Sequence, residues 1–263
     1  MLRLMATHGR APADDDVTVY PVEEKVGEEL LQRWIIELLR PLVERWLASR
    51  KVIALTGADQ FIYFRRGDTR GRLAPDVFVL PGVRPNRRIR SWKTWIERVV
   101  PSFALEVVSR DVDKDYIDGP ELYRELGVQE LVIFDPDFEE EPDRFRFQVY
   151  RQVGKRGLVR AEVTNEDRVR SRVLKCWLRV IGVGEEMRLR IATGPSGEVL
   201  YPTEAEHERA EKERERAEKE RERAEKERER AEKERERAGR KVLEAELARL
   251  REELERARPR RKR

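Results

Sequence analysis

The chain has 263 residues, 39% hydrophobic and 42% charged, with a formal net charge of +4, one cysteine and two histidines. That length suffices for one well-buried domain plus an extension, and the lone Cys176 excludes an intrachain disulfide. His8 and His207 are too few for histidine-based metal sites or a Ser-His-Asp arrangement, and no apolar run reaches the length of a membrane span.

In chain order, residues 1–20 contain Asp14-Asp15-Asp16 and no long apolar stretch; a disordered start without a secretory signal is expected, in a cytoplasmic protein. Leu30, Leu31, Trp34, Ile35, Leu38, Leu39 and Leu42 recur at helical spacing, predicting a long first helix with Pro41 inside it. Residues 52–55, 61–64 and 77–80 read as strands of a meander, separated by turn signals at Gly57, Gly67-Asp68 and Gly71. Two arginine clusters flank the third strand, Arg65, Arg66, Arg70 and Arg72 before it and Arg84, Arg87, Arg88 and Arg90 after it. Trp92 and Trp95 follow, suited either to the core or to base stacking.

Residues 103–108 form an apolar run interrupted by Glu106, and Asp111, Asp113 and Asp115 come next. These three acids are no calcium loop, because Tyr116 stands where glycine is required and Leu122 where a bidentate glutamate is needed. Asp118, Pro120 and Glu121 spell a capping box, and Gly127 suits a helix end, predicting a short helix between parallel strands at 103–108 and 131–134. Alternating Phe145, Phe147 and Val149 with Gly154 and Gly157 predict a hairpin, followed by short β elements at 173–180 and 189–191 and a solvated turn at Glu185-Glu186.

Ala210, Ala217, Ala224, Ala231 and Ala238 recur every seven residues between runs of Glu, Lys and Arg. One weakly apolar position per heptad makes a solvated helix, with pairs such as Glu208 with Lys212 and Glu215 with Lys219. Leu243, Leu247, Leu250 and Leu254 then alternate spacings of four and three, a short coiled-coil seam suited to self-association. Residues 204–263 hold 23 basic and 20 acidic side chains, so the rest of the chain is near neutral and any basic groove must be local. The basic end, 259–263, serves either solubility or weak nucleic-acid anchoring.

Asp76, which opens the 77–80 strand, and Glu106 are carboxylates among apolar neighbours, and burying an ionised acid costs several kcal/mol unless it is compensated. Two compensations are open: separate arginine partners, or one shared divalent cation, magnesium or manganese, both of which suit hard oxygen ligands. The stretches Ala74-Pro75-Asp76-Val77-Phe78-Val79, Glu106-Val107-Val108-Ser109, Glu121-Leu122-Tyr123 with Gly127-Val128, and Phe134-Asp135-Pro136 resemble the Uma-two family over most of residues 20 to 200. That family is named for restriction endonucleases and has the PD-(D/E)xK nuclease fold. The resemblance implies that Asp76 and Glu106 bind magnesium while a lysine assists the attacking water. The strand position two residues after Glu106 is Val108, and the position four before Tyr123 is Gly119; Lys114 is the nearest lysine and takes the expected role, with Arg110 as an electrostatic helper.

The expectation is thus an α/β domain at 21–202, a restriction-endonuclease-like mixed central sheet flanked by helices, followed by a long charged helix or coiled coil at 203–258. Its expected activity is Mg2+- or Mn2+-dependent hydrolysis of DNA phosphodiester bonds, with Asp76, Glu106 and Lys114 as catalytic residues and Asp76 and Glu106 as metal ligands. The alternative is a nuclease-like module without catalysis that binds nucleic acid and self-associates through its helix. Neither reading involves a membrane.

Overall fold

The structure, a computed structural model, describes residues 18, 30–88, 90–109, 112 and 114–257, with side chains to residue 253. The expected disordered start (Thr18 apart), Arg110, Asp111, Asp113 and the basic end lie outside the described residues. The chain divides into two units, Met1–Tyr201 and Pro202–Arg263.

In the first unit, helix α1 spans Leu30–Ser49 and contains Pro41. Its apolar spacing puts Ile35, Leu39, Leu42, Val43 and Trp46 on one buried face, while Arg33 and Glu37 pair on the exposed side. Each such fully buried aliphatic or aromatic side chain contributes about 1.5–3 kcal/mol. The chain then forms β1 (Ala54–Gly57), β2 (Ile62–Tyr63), β3 (Arg72–Leu73), β4 (Val77–Pro81), β5 (Trp92–Lys93), a short α2 (Thr94–Glu97) and β6 (Phe103–Val107). A π-helical turn, Lys114–Asp118, runs straight into α3 (Gly119–Leu126), which leads to β7 (Glu130–Phe134), β8 (Phe147–Gln152) and β9 (Leu158–Thr164). Four further strands follow: β10 (Arg168–Ser171), β11 (Cys176–Ile181), β12 (Arg188–Thr193) and β13 (Val199–Leu200).

The main sheet is mixed, with six strands in the order β1-β4-β6-β7-β8-β9; β6 and β7 are parallel and the other pairs antiparallel. A four-stranded antiparallel sheet, β10-β11-β12-β13, packs with α1 against one face of it. On the other face lie α3 and a small sheet, β3-β2-β5. The expected meander is therefore corrected. β1 pairs directly with β4, and the intervening β2 leaves to join β5, because Ile62, Tyr63 and Trp92 are all fully buried there. Gly57 sits opposite Phe78 across β1 and β4, and a Cβ at Gly57 would lie 2.2 Å from the Phe78 ring, so only glycine leaves the ring its place.

The expected capping box at Asp118 is also corrected. Asp118 is itself in the right-handed helical region with no side-chain cap bond, because the π turn already supplies helical backbone upstream and leaves no orphan amides to cap. Gly127 closes α3 at φ 85, its amide donating to Tyr123 O and Arg124 O. Trp92 is fully buried and its Nε1 donates to Val99 O at 2.8 Å, which removes it as a base-stacking platform.

The second unit is helix α4, Glu204–Ala257. Thr203 and Glu206 make a reciprocal cap, Glu206 N donating to Thr203 Oγ1 at 3.2 Å and Thr203 N to Glu206 Oε2 at 2.8 Å. Lys219, Lys226 and Lys233 each reach the glutamate four residues earlier at 2.6 Å; such exposed pairs are worth about 0.2–0.5 kcal/mol each. Among the described residues no helix is long and apolar enough to cross a membrane.

Candidate active site

β4 and β6 run antiparallel with Val77 opposite Leu105, so one step beyond the start of β4 the register sets Asp76 opposite Glu106. Both follow the alternation of Phe78 and Ala104, the face that α3 covers. The Asp76 amide donates to Glu106 Oε2 at 3.3 Å, and the Val107 amide donates to Asp76 Oδ2 at 2.6 Å. Gln32, on the first turn of α1, donates from Nε2 to both Asp76 oxygens at 3.1 and 3.2 Å. From α3 the Tyr123 hydroxyl donates to Glu106 Oε1.

Among the described residues neither acid meets a guanidinium. The arginine-paired buried acids are others: Asp135, held by Arg144 at 2.6 Å, and Glu130, held by Arg151 at 3.1 Å. Burial, and then the charge of Glu106, push the Asp76 carboxyl well above the usual carboxylate range. Burial also raises Glu106 to about 7; the Asp115 charge adds to this, while the Tyr123 hydroxyl, the Asp76 amide and the Lys114 charge oppose it. Burial and Glu106 together push the Tyr123 phenol well above its ordinary value, keeping it a donor.

Ionising both acids therefore places more negative charge here than the surroundings neutralise, so that without a cation the pair tends to hold protons. Magnesium takes one or two protein carboxylates and keeps several waters, so a two-acid donor set short of positive charge fits that ion. Among the described residues no group of three or more His, Cys, Asp or Glu side chains gathers in a metal-holding arrangement.

Lys114 opens the π turn and lines, with Glu106, Asp115 and Tyr123, a cavity of about 50 Å³, room for more than one water. Asp115 is buried and its Oδ2 accepts from Ser109 N at 2.8 Å and Ser109 Oγ at 3.0 Å. Gln32 and the orienting role of Tyr123 escaped the sequence reading, whereas Asp115, which the sequence offers as an exposed-loop acid or a second metal ligand, is buried. Tyr123 was visible only as part of a motif, and Gln32 lies 44 residues from its partner.

A mixed sheet flanked by helices, presenting an Asp and a Glu side by side from adjacent strands, defines a restriction-endonuclease-like α/β domain. The chain belongs to the Uma2 (Uma-two) family, described as "Putative restriction endonuclease", whose profile matches residues 17–180. Among solved structures it is similar to one described as a putative nuclease belonging to DUF820 from Anabaena variabilis, at 16% identity and a TM-score of 0.39, over 58% of this chain and 78% of that one. Comparison with curated proteins finds no match.

Proposed function

We propose that the domain is a divalent-metal-dependent endonuclease that hydrolyses phosphodiester bonds in DNA. The observation that supports this most is the cross-strand pair itself: Asp76 and Glu106 joined through the Asp76 amide, with no guanidinium on either. In this reading both hold Mg2+ or Mn2+, which when bound supplies the Lewis acidity that lowers the pKa of a water. Val107 N and Gln32 fix the Asp76 carboxylate, and Tyr123 fixes Glu106. Lys114 brings positive charge beside Glu106, where it orients a water or stabilises charge building on the phosphoryl oxygens.

A second reading, a nuclease-like module that binds nucleic acid without cutting it, is favoured by one observation. Val108, two residues beyond Glu106, is apolar and buried, so the strand itself offers no ammonium. Incubating supercoiled plasmid with Mg2+ or Mn2+ separates the two. Nicking by wild type that disappears in Asp76→Ala and Glu106→Gln supports the enzyme, and equal nicking by all three discredits the assignment. Self-association through the leucine seam of α4 is part of either reading.

A further inference from the structure

An arginine-lined cleft adjoins the carboxylates. β1 is the edge strand of the main sheet beside β4, and a cavity of about 960 Å³ lies along it, bordered by Arg40 of α1, residues 56–60, and Arg87, Arg88 and Arg90 from the β4–β5 connection. A neighbouring cavity of about 510 Å³ shares Arg87 and adds Arg84 and Asn86. The cleft reaches the site through Asp59, whose amide donates to Pro75 O at 3.0 Å and whose charge raises Asp76. Asp59 is the one acid among the described residues lining the larger cavity, and Glu97 lines the smaller.

Some of these cations have internal roles. Arg40 pairs with Glu44 at 3.4 Å, and Arg87 pairs with Glu97 at 2.7 Å while lying over the Trp92 ring. Arg84, Arg88 and Arg90 are exposed and, among the described residues, meet no acid. Two members of the other arginine cluster are committed to the fold instead: Arg65 binds Glu125 and Asp68, and Arg72 lies over Phe61. Converging guanidinium groups on a near-neutral domain repel one another unless a polyanion neutralises them. Guanidinium forks match phosphate oxygens; no aromatic side chain among the described residues lines the larger cavity, and Trp92, which borders the smaller one, is fully buried and offers no face to a base.

We propose that this cleft seats the phosphodiester backbone of a nucleic acid and leads it to Asp76, so that binding is independent of base sequence; the proposal rests on the nuclease reading. The test measures affinity of the full-length protein for fluorescein-labelled duplexes across a salt series in EDTA, where no cutting occurs. Arg88→Ala with Arg90→Ala, exposed positions, is expected to lower the slope of log affinity against log salt by roughly 0.9 per arginine, equally on DNA and RNA duplexes and on unrelated sequences. Arg70→Ala, on a side chain that is 91% exposed outside the cleft, leaves the slope unchanged. An unchanged slope in the double variant, an equal loss in Arg70→Ala, or a loss confined to one base sequence overturns the proposal. Because the readout needs no hydrolysis, a cleft that binds without plasmid nicking separates failure of the enzyme reading from failure of this one.

Discussion

The Tyr116 hydroxyl donates to Asp135 Oδ2 at 2.7 Å, tying the π turn that carries Lys114 and Asp115 to the end of β7. Arg144 completes the anchor from the β7–β8 connection, bonding both Asp135 oxygens at 2.8 and 2.6 Å, and the Phe145 amide donates to the Tyr116 oxygen at 3.1 Å. Burial, then Asp135, raise the Tyr116 phenol to about 12, so it stays a donor throughout the neutral range. Tyr116→Phe is expected to lower stability by about 1 kcal/mol in urea unfolding. Faster amide hydrogen exchange confined to residues 114–118 would locate the loosening; exchange unchanged there would refute the anchoring role.

Two kinds of buried acid should respond oppositely to neutralisation. Glu130 is fully buried and receives Arg151, the Ser171 hydroxyl and the Arg172 amide, so Arg151→Ala strands its charge and should cost about 3–5 kcal/mol. Asp76 suffers repulsion from Glu106 and Asp59 instead, so Asp76→Asn, which keeps an acceptor for Val107 N, should leave the metal-free protein equally or more stable while abolishing nicking. Denaturant midpoints of both variants check the contrast. A large loss in Asp76→Asn would mean that the acid is structural.

The pH dependence of stability follows from Glu106. Its carboxyl titrates near 7 in the folded chain against 4.5 ordinarily, so between those values the native state binds more protons than the unfolded one. Its contribution is complete below pH 4.5 and fades as pH rises through about 7, a loss on the order of a few kcal/mol that Glu106→Gln should remove. Asp76 is shifted in the same direction. Mg2+ or Mn2+ binding must expel those protons, so the melting temperature should rise with added metal more above pH 7 than below pH 4.5. Thermal unfolding across pH, with and without metal, tests both parts.

Leu243, Leu247 and Leu250 on α4 are 62, 53 and 51% exposed, a stripe at heptad spacing. Sedimentation of the full-length protein should give a mass above the 31.2 kDa monomer, and Leu247→Lys with Leu250→Lys should bring it back to that value. Wild-type protein sedimenting as a monomer would rule out the seam.

The sequence exposed what depends on neighbours in the chain. Spacing of Ile35, Leu38, Leu39 and Leu42 announced α1, and apolar runs joined by Gly127 announced the parallel β6 and β7. What it concealed depends on distant partners. The departure of β2 to pair with β5 is decided by the buried niche that Trp92 fills, and Asp118 lost its capping role because it is itself the last residue of the π turn Lys114–Asp118. For the site, Asp76 and Glu106 stood out as acids in apolar surroundings. Their choice between arginines and each other was hidden, because Arg144 and Arg151 lie far along the chain and bind Asp135 and Glu130. The cleft was half visible as the cluster at 84–90; Arg40, contributed from α1, was not.

Strand side chains alternate with a period of two, and Asp76 meets Glu106 only through the pairing of Val77 with Leu105. Sliding β4 by a single position along β6 would carry one carboxylate through to the α1 side, with nothing halfway. Connections that carry none of these side chains can therefore change length without disturbing the pair, whereas one inserted or deleted residue inside either strand separates the two acids in a single step.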